Sequence, residues 1–256
     1  MLRTLAVSLR QLLLPAHCAA CGQPSDPEAR LPLCEGCSRE IARLMEMPYC
    51  PRCGRHAGPY TADERGCVFC RRYPIRHDAT VRVGQYAGPL GALILRYKYQ
   101  RRMELGTIMG RWLAERLAAA PWADLVEVVV PVPLHWSRRF SRGFNQAEGL
   151  ARELAASDLP TGQAGRQVAA RRLLRVRPTP HQRMLAAGQR RRNVRGAFRV
   201  RGGTADLKGR NVLLVDDVMT SGTTIAECTR VLKKAGAAAV FVAVVATADY
   251  DYPGSW

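Results

Sequence analysis

Four pairs of cysteines dominate the first third of this 256-residue chain. Eight of the nine cysteines lie between positions 18 and 70 in C-x-x-C pairs, and successive pairs are separated by 12, 12 and 13 residues. Two thiolates on one such turn can bind the same metal ion, and two turns complete a tetrahedral Cys₄ zinc site. The pattern predicts two structural zinc sites, with the ligands Cys18, Cys21, Cys34, Cys37, Cys50, Cys53, Cys67 and Cys70.

Other uses of these thiols have to be weighed against zinc. A disulfide framework needs an oxidising compartment, a redox C-x-x-C normally occurs once in a chain, and an iron–sulfur cluster uses the same ligands. The segment has few large apolar residues, so a metal must supply much of its folding free energy. The first two pairs recur at an offset of 32 or 33 residues, each half with a glycine, Gly22 or Gly54, after its first pair. This duplication favours sequential sites, although a crossed assignment also satisfies the spacing.

Strands and helices alternate in the rest of the chain. Apolar runs predict strands at 81–86, 125–130, 212–215 and 239–245, and helices at 90–99, 103–117, 144–154 and 223–234. Such alternation indicates an α/β fold with a mostly parallel sheet flanked by helices. We expect an N-terminal helix and double zinc ribbon over 1–76, the α/β domain over 77–248 and a tail over 249–256. Cys228, alone on a helix, is predicted to be a small core residue.

The N-terminus carries leucines at helical spacing. Leu2, Leu5, Leu9 and Leu12 predict an amphipathic helix, and Arg10 interrupts the apolar stretch that a secretion signal would need. No other segment approaches the roughly 18 apolar residues of a membrane span. We therefore expect a cytoplasmic protein without a membrane span.

A stretch of thirteen residues, 212–224, carries the strongest chemical signal. Four apolar residues predict a buried central strand, and Asp216 and Asp217 follow at its carboxyl end, where open α/β sheets place their ligands. A hydroxyl-rich turn around Gly222 then leads into a helix, so that backbone N–H groups and the helix dipole predict an anion site. Two acids would repel this anion unless they bind something else, and ribose hydroxyls or a Mg²⁺ ion fit that need.

This stretch resembles the motif with which the type I phosphoribosyltransferase family binds phosphoribosyl pyrophosphate (PRPP). The resemblance implies that the two acids hold the ribose hydroxyls, that residues 220–224 hold the 5′-phosphate, and that Mg²⁺ accompanies PRPP. The implied PRPP-binding residues are Asp216, Asp217, Val218, Met219, Thr220, Ser221, Gly222, Thr223 and Thr224.

A Val-Val-Val-Pro-Val-Pro run at 128–133 ends another predicted strand. In the family, the equivalent turn presents backbone amides to the pyrophosphate of PRPP, and the arginines that follow it here are cations suited to that group. The resemblance implies a pyrophosphate-side set of Pro133, Leu134, His135, Arg138 and Arg142.

Residues 175–198 are rich in arginine and match the position of the flexible loop that closes over PRPP in the family. Such a lid would exclude water while cleavage of the C1–O bond builds positive charge on the ribose. An ordinary basic surface loop is the alternative. The residues assigned to this lid are Arg177, Thr179, Gln182, Arg183, Arg192 and Asn193.

Further motifs extend the resemblance over nearly the whole chain. They are the cysteine pairs, Tyr97-Lys98-Tyr99, the Arg-Gly-Phe-Asn-Gln-Ala-Glu run at 142–148 and the Arg-Asn-Val-Arg-Gly-Ala-Phe run at 192–198. With the acid pair they resemble the ComF/GntX family of bacterial proteins linked to natural competence and DNA uptake. The resemblance implies handling of incoming single-stranded DNA and contact with proteins of the DNA-uptake machinery, but it supplies no phosphoribosyl acceptor.

The charge of the chain is strongly positive and unevenly placed. The net charge is +18, and residues 138–210 hold 18 basic and four acidic residues, a net +14. Such an excess favours nucleic acid, a membrane surface or a phosphorylated small molecule as the partner; a solvated arginine-rich surface is the alternative explanation. His135, Trp136, Phe140 and Phe144 lie among these arginines and offer either stacking faces for DNA bases or ordinary packing anchors.

Three functions stay open on this reasoning. In the first, a phosphoribosyltransferase acting in DNA uptake moves the phosphoribosyl group from PRPP to an unknown nucleophile with Mg²⁺ and releases pyrophosphate. In the second, a protein without catalytic activity senses PRPP and binds single-stranded DNA. The third is nucleobase salvage, for which no base-selecting pocket is recognisable in the sequence.

Overall fold

The computed structural model describes residues 16–29, 31–58, 60–63, 65–136, 140, 143–157, 167–169, 172–178, 193–202 and 207–248. The predicted N-terminal helix and C-terminal tail lie outside these ranges. The helices are α1 (Glu35–Glu46), α2 (Val68–Arg72), α3 (Gly88–Tyr99), α4 (Met103–Ala118), α5 (Gln146–Ala156) and α6 (Thr223–Lys234), with a 3₁₀ turn at Ala123–Leu125. The strands are β1 (Ala62–Asp63), β2 (Gly66–Cys67), β3 (Ala79–Gln85), β4 (Val128–Pro131), β5 (Gln167–Val168), β6 (Leu173–Arg175), β7 (Phe198–Val200), β8 (Asn211–Met219) and β9 (Ala239–Thr247).

A parallel sheet forms the centre of the described structure. Its strand order is β3-β9-β8-β4-β5, and each neighbouring pair is parallel. Two short antiparallel pairs, β1 with β2 and β6 with β7, lie outside it. The predicted α/β class, a mostly parallel sheet flanked by helices, is confirmed. Because β8 is the central strand, its carboxyl end is flanked by the carboxyl ends of β4 and β9.

Two of the predicted strand boundaries are wrong by three residues or more. The strand predicted from position 125 begins at Val128, because Leu125 is half-exposed in the 3₁₀ turn and the pairing of β4 with β8 starts at Val128 opposite Val212. The strand predicted to end at 215 continues to Met219, because β9 pairs with it as far as Met219 opposite Thr247. The two acids therefore lie within β8 and not after it.

Alternate residues of the central strands enter two apolar cores on opposite faces of the sheet. Leu213 and Val215 of β8 join the core formed with α3, α4 and α5, whereas Val212 and Leu214 join the core formed with α6. This alternation follows from the two-residue period of a strand, and burial on both faces is typical of parallel sheets. Cys228 on α6 is fully buried in the second core, as predicted.

The two cysteine-rich ribbons pack differently although they are sequence duplicates. The first ribbon (residues 18–37) adds Cys18, Ala19 and Leu33 to the core shared with α3, α4 and α5. The second ribbon (residues 50–70) forms its own small cluster around Cys50 and Cys53. The module boundary at 76 stays a prediction. Among the described residues, no helix combines the length and the apolar character that crossing a membrane requires.

Candidate functional site

The cysteines of the C-x-x-C pairs form two clusters, Cys18, Cys21, Cys34 and Cys37 in the first ribbon and Cys50, Cys53, Cys67 and Cys70 in the second. The sulfur atoms of each cluster lie within 4.8 Å of one another, and the Sγ–Sγ distances of Cys21–Cys34, Cys50–Cys70 and Cys53–Cys67 are all 3.7 Å. Tetrahedral Zn²⁺ with Zn–S bonds of about 2.3 Å would separate its sulfurs by about 3.8 Å. Both clusters therefore fit Zn²⁺, and the sequential assignment is confirmed. Four protein thiolates would leave no open coordination position, as in structural sites.

The acid pair lies near the carboxyl end of β8. Asp217 is 8% exposed, and one of its carboxylate oxygens, Oδ1, lies 2.7 Å from Nζ of Lys98 on α3, with both side chains mostly buried. The backbone N–H of Asp217 donates a hydrogen bond of 2.9 Å to Asp216 Oδ1. A buried carboxylate therefore has a matching cation beside it before any ligand binds.

Asp216 has a different electrostatic environment from its neighbour. Burial raises the pKa of its carboxyl group to about 7, and the nearby charge of Asp217 adds to that rise, although Lys98 and Arg175 oppose it. The side chain consequently holds its proton close to neutral pH. A divalent cation or a ribose hydroxyl donating to this carboxyl group would favour its ionised form.

The hydroxyl turn (residues 220–224) connects β8 to α6. Gly222 is the residue before the helix and has φ +73°, a left-handed conformation that glycine adopts without strain. Ser221 Oγ and Thr223 Oγ1 lie 3.1 Å apart. Because Gly222 has no side chain to cap the helix, the first turn of α6 presents backbone N–H groups and hydroxyls together. This combination binds a phosphate group well.

Lys98 is a site residue that sequence reasoning did not assign. It belongs to the Tyr97-Lys98-Tyr99 motif, in which Tyr97 is fully buried and Tyr99 is 61% exposed. The Tyr97 hydroxyl donates to the carbonyl of Gln146 at 3.1 Å, and the ring lies where side chains at Gly106 and Gly149 would stand. The buried tyrosine thus fixes the end of α3 and places Lys98 against Asp217.

The pyrophosphate-side turn follows β4 directly beside β8. Pro131 lies opposite Val215, and the Val132 N–H donates to the Val215 carbonyl at 2.8 Å. Pro133 and His135 are buried and Leu134 is half-buried, so these three residues follow the strand next to the one that carries the acids. Arg138 and Arg142 lie outside the described residues.

The aromatic residues near this turn differ in exposure. Trp136 is 74% and Phe140 89% exposed, whereas His135 is 4% exposed. The Phe144 ring packs on Tyr97 with centroids 5.3 Å apart. His135 and Phe144 are therefore packing anchors, and Trp136 and Phe140 offer exposed faces.

The predicted lid segment (residues 175–198) starts and ends on the antiparallel pair β6–β7. Arg177 at its start donates to the carbonyls of Asn193 and Arg195 at 3.0 and 2.9 Å, which joins the two ends of the segment. Glu227 of α6, another residue that sequence reasoning missed, accepts a hydrogen bond of 2.7 Å from the Gly196 N–H. These contacts attach the base of the lid segment to the helix after the hydroxyl turn. Thr179, Gln182, Arg183 and Arg192 lie outside the described residues.

Two parts of the chain match known protein families. Residues 141–253 match the family described as "Phosphoribosyl transferase domain", and residues 9–72 match "Double zinc ribbon domain". Competence protein F of Haemophilus influenzae is 34% identical over 208 residues, which are 80% of this chain and 85% of the relative. DNA utilization protein YhgH of Escherichia coli K12 is 33% identical over 234 residues, 90% of this chain and 96% of the relative. A ribose-phosphate pyrophosphokinase of Pyrococcus furiosus is 53% identical over a shorter stretch of 38 residues, which are 15% of this chain and 14% of the relative.

The fold and both cysteine clusters are those expected of a type I phosphoribosyltransferase-like sheet with an N-terminal double zinc ribbon. The two relatives are 34% and 33% identical over 80% and 90% of the chain. The chain belongs to the ComF family, the family of Competence protein F and DNA utilization protein YhgH.

Proposed function

We propose that this protein binds PRPP with Mg²⁺ at the carboxyl edge of its sheet and transfers the phosphoribosyl group to a nucleophile in the course of DNA uptake. One observation carries the proposal: the acid pair and the hydroxyl turn of β8 lie beside the turn that follows β4. In this arrangement the acids meet the ribose hydroxyls, residues 220–224 meet the 5′-phosphate, and residues 133–135 meet the pyrophosphate.

The comparisons support two parts of this proposal, the ligand and the role in DNA uptake. The match to the phosphoribosyl transferase domain supports PRPP as the ligand. The short match to a ribose-phosphate pyrophosphokinase supports it as well, because that name refers to a phosphorylated ribose and a pyrophosphate. The names Competence protein F and DNA utilization protein support a role in DNA uptake, together with proteins of that machinery. We also propose a cytoplasmic location, where PRPP would be available.

In the proposed reaction the C1–O bond of PRPP breaks and pyrophosphate leaves with the electron pair. The nucleophile then forms a bond to C1 and loses its proton to solvent. A bound Mg²⁺ would neutralise charge on the pyrophosphate, with Asp216 and Asp217 as the carboxylates closest to the ribose. The lid segment would exclude water, since hydrolysis competes with transfer.

Calorimetric titration with PRPP, with and without Mg²⁺, tests the binding step. We expect Asp217→Ala to abolish PRPP binding with zinc content unchanged, because the variant removes the carboxylate that would accept hydrogen bonds from the ribose hydroxyls. Asp124→Ala, on an exposed acid in the 3₁₀ turn, is the matched control and should bind PRPP normally. Retained affinity in Asp217→Ala would refute the site.

Pyrophosphate release with a panel of bases, amines and DNA tests the transfer step. Tight PRPP binding without release above background for any acceptor would refute the transferase. The remaining alternative, a PRPP-responsive protein that binds single-stranded DNA, is favoured by the exposed rings of Trp136 and Phe140. It predicts that the binding constant for single-stranded DNA falls by about 0.7 logarithmic units per phosphate contacted for each tenfold rise in salt concentration. Binding should be weaker still in Trp136→Ala. Salt-independent or absent DNA binding would exclude it.

A further inference from the structure

Two adjacent carboxylates at the end of a strand can bind a divalent cation or accept hydrogen bonds from hydroxyl groups. The structure distinguishes these uses because Asp217 already has a cation beside it. Lys98 Nζ lies 2.7 Å from Asp217 Oδ1, and the two side chains are only 15% and 11% exposed. An ammonium and a carboxylate this close and this buried attract each other strongly. The same ammonium repels a divalent cation that approaches this oxygen.

The packing of α3 fixes the position from which Lys98 reaches the acid pair. Lys98 is the penultimate residue of the helix, and the side chain of Tyr97 before it is fully buried. The Phe144 ring packs against the Tyr97 ring, and the Tyr97 hydroxyl donates to the Gln146 carbonyl. The ammonium is therefore presented to Asp217 from a firmly packed helix end.

The second carboxylate of the pair is a poor metal ligand for a different reason. Burial, together with the nearby charge of Asp217, raises the pKa of the Asp216 carboxyl group to about 7, so this group is protonated much of the time at neutral pH. Lys98 and Arg175 lie close enough to oppose that rise. When all four groups are ionised, these two acids and two cations have no net charge. A neutral diol fits such balanced surroundings, whereas a further double positive charge does not.

We propose that Lys98 takes the place of a metal ion at the acid pair, so that the ribose end of a ribose phosphate binds there without Mg²⁺. The Mg²⁺ that accompanies PRPP then belongs to its pyrophosphate. Lys98 is a positioning residue in this scheme, because it balances the charge of Asp217 and leaves the second carboxylate oxygen, Oδ2, to accept from a ribose hydroxyl. The inference rests on the proposed function for the identity of the sugar, and it adds which part of that ligand needs the metal.

Calorimetric titration of the full zinc-loaded chain with ribose 5-phosphate, with and without Mg²⁺, tests this inference. Ribose 5-phosphate has the sugar and the 5′-phosphate of PRPP but lacks the pyrophosphate. We expect its affinity for the unmodified protein to change by less than about twofold when Mg²⁺ is added.

Variants of Lys98 test whether its charge is what replaces the metal. Without Mg²⁺, Lys98→Met should bind ribose 5-phosphate about tenfold more weakly, because the Asp217 carboxylate without its counter-ion is stabilised by a proton instead of a ribose hydroxyl. Mg²⁺ should restore most of that loss, since it can take the position of the missing ammonium. Lys98→Arg keeps the positive charge and should bind nearly as the unmodified chain does.

Lys233→Met is the matched control, because it also removes the lysine of a Lys–Asp pair. Lys233 Nζ lies 3.0 Å from Asp78 Oδ2, the two side chains are 37% and 40% exposed, and Lys233 is in the last turn of α6, at the end away from the hydroxyl turn. This variant should bind ribose 5-phosphate normally in either buffer. The double variant that combines Lys98→Met with Asp217→Asn leaves no unpaired charge and remains informative if Lys98→Met misfolds. It should bind weakly, and recovery of its binding on addition of Mg²⁺ would contradict a metal position at Asp217.

Ribose 5-phosphate binding by the unmodified protein that requires Mg²⁺, or that is undetectable, overturns the inference. A loss in Lys98→Met that Mg²⁺ does not restore overturns it as well, because a merely structural role would produce that result. PRPP titration of the unmodified protein separates these failures from failure of the proposed function. PRPP binding together with either result overturns the inference alone, whereas absent binding of both ligands overturns the proposed function and the inference with it.

Discussion

Gly54 connects the second ribbon to the strand that carries the acid pair, and its replacement by alanine probes that connection. The residue has φ +72°, and a methyl group built on it would lie 2.9 Å from Thr80 Cγ2, 3.0 Å from Thr247 Cγ2 and 3.1 Å from Met219 Cε. Carbon atoms in favourable contact are about 3.5–4.0 Å apart. Alanine therefore strains the backbone and also displaces Met219, which directly precedes the hydroxyl turn.

Gly22 is the duplicate of Gly54 in the first ribbon and supplies a matched control. It has φ +81°, but no atom lies within 4 Å of a methyl group built there. Alanine at either position must adopt a left-handed backbone conformation, which destabilises the fold by about 1–2 kcal/mol. Only Gly54→Ala also overpacks its surroundings, which destabilises the fold by about 1–3 kcal/mol more. We expect the free energy of unfolding to fall by about 2–5 kcal/mol in Gly54→Ala and by about 1–2 kcal/mol in Gly22→Ala.

Urea denaturation, zinc content and PRPP titration of the two variants measure these effects. Both proteins should bind two zinc ions per chain, since neither glycine is a ligand. PRPP affinity should fall about tenfold in Gly54→Ala, which is the equivalent of about 1.4 kcal/mol, and stay unchanged in Gly22→Ala. Equal stability and equal PRPP affinity of the two variants would show that the second ribbon does not press on β8 as described.

Three further changes test other contacts. Asp216→Asn should be more stable than the unmodified chain, because the raised pKa of Asp216 makes its ionisation in the folded state unfavourable as pH rises toward 7. In urea titrations the difference in free energy of unfolding should grow by about 2 kcal/mol between pH 5.5 and 8, and a pH-independent difference would contradict this. Glu227→Ala should cost about 1–3 kcal/mol and speed proteolysis at 176–197, since it removes both the acceptor of the Gly196 N–H and the ion pair with Arg230. Glu40→Ala removes an exposed ion pair of the same geometry with Arg43 and should leave the stability nearly unchanged; equal losses in the two variants would refute the anchoring. Cys50→Ser should lose about half of the bound zinc, and full metal content would contradict two separate sites.

Local patterns in the sequence were sufficient to predict the fold class, the two zinc clusters and the helix after the hydroxyl turn. Each of these depends on residues close in sequence: a C-x-x-C turn, an apolar run, or a glycine followed by an amphipathic helix. The end of β8 was misplaced because aspartate is rare in strands, and its pairing with β9 depends on residues almost thirty positions away.

The role of Lys98 could not be predicted for a related reason. It lies more than a hundred residues before Asp217 in the sequence, and their contact exists only because α3 packs on the sheet beside β8. The sequence placed Lys98 in a predicted helix and in the Tyr97-Lys98-Tyr99 motif but indicated no partner for it.

The position of Tyr97 has a consequence for how sequence variants of this protein should be interpreted. A side chain at Gly149 would overlap the tyrosine hydroxyl, and one at Gly106 would lie 2.8 Å from its ring. Either substitution would push α3 outward and carry Lys98 away from Asp217. Natural variation at these two interior glycines, each far along the chain from the acids, should therefore be restricted as tightly as variation in the ligand-binding residues themselves.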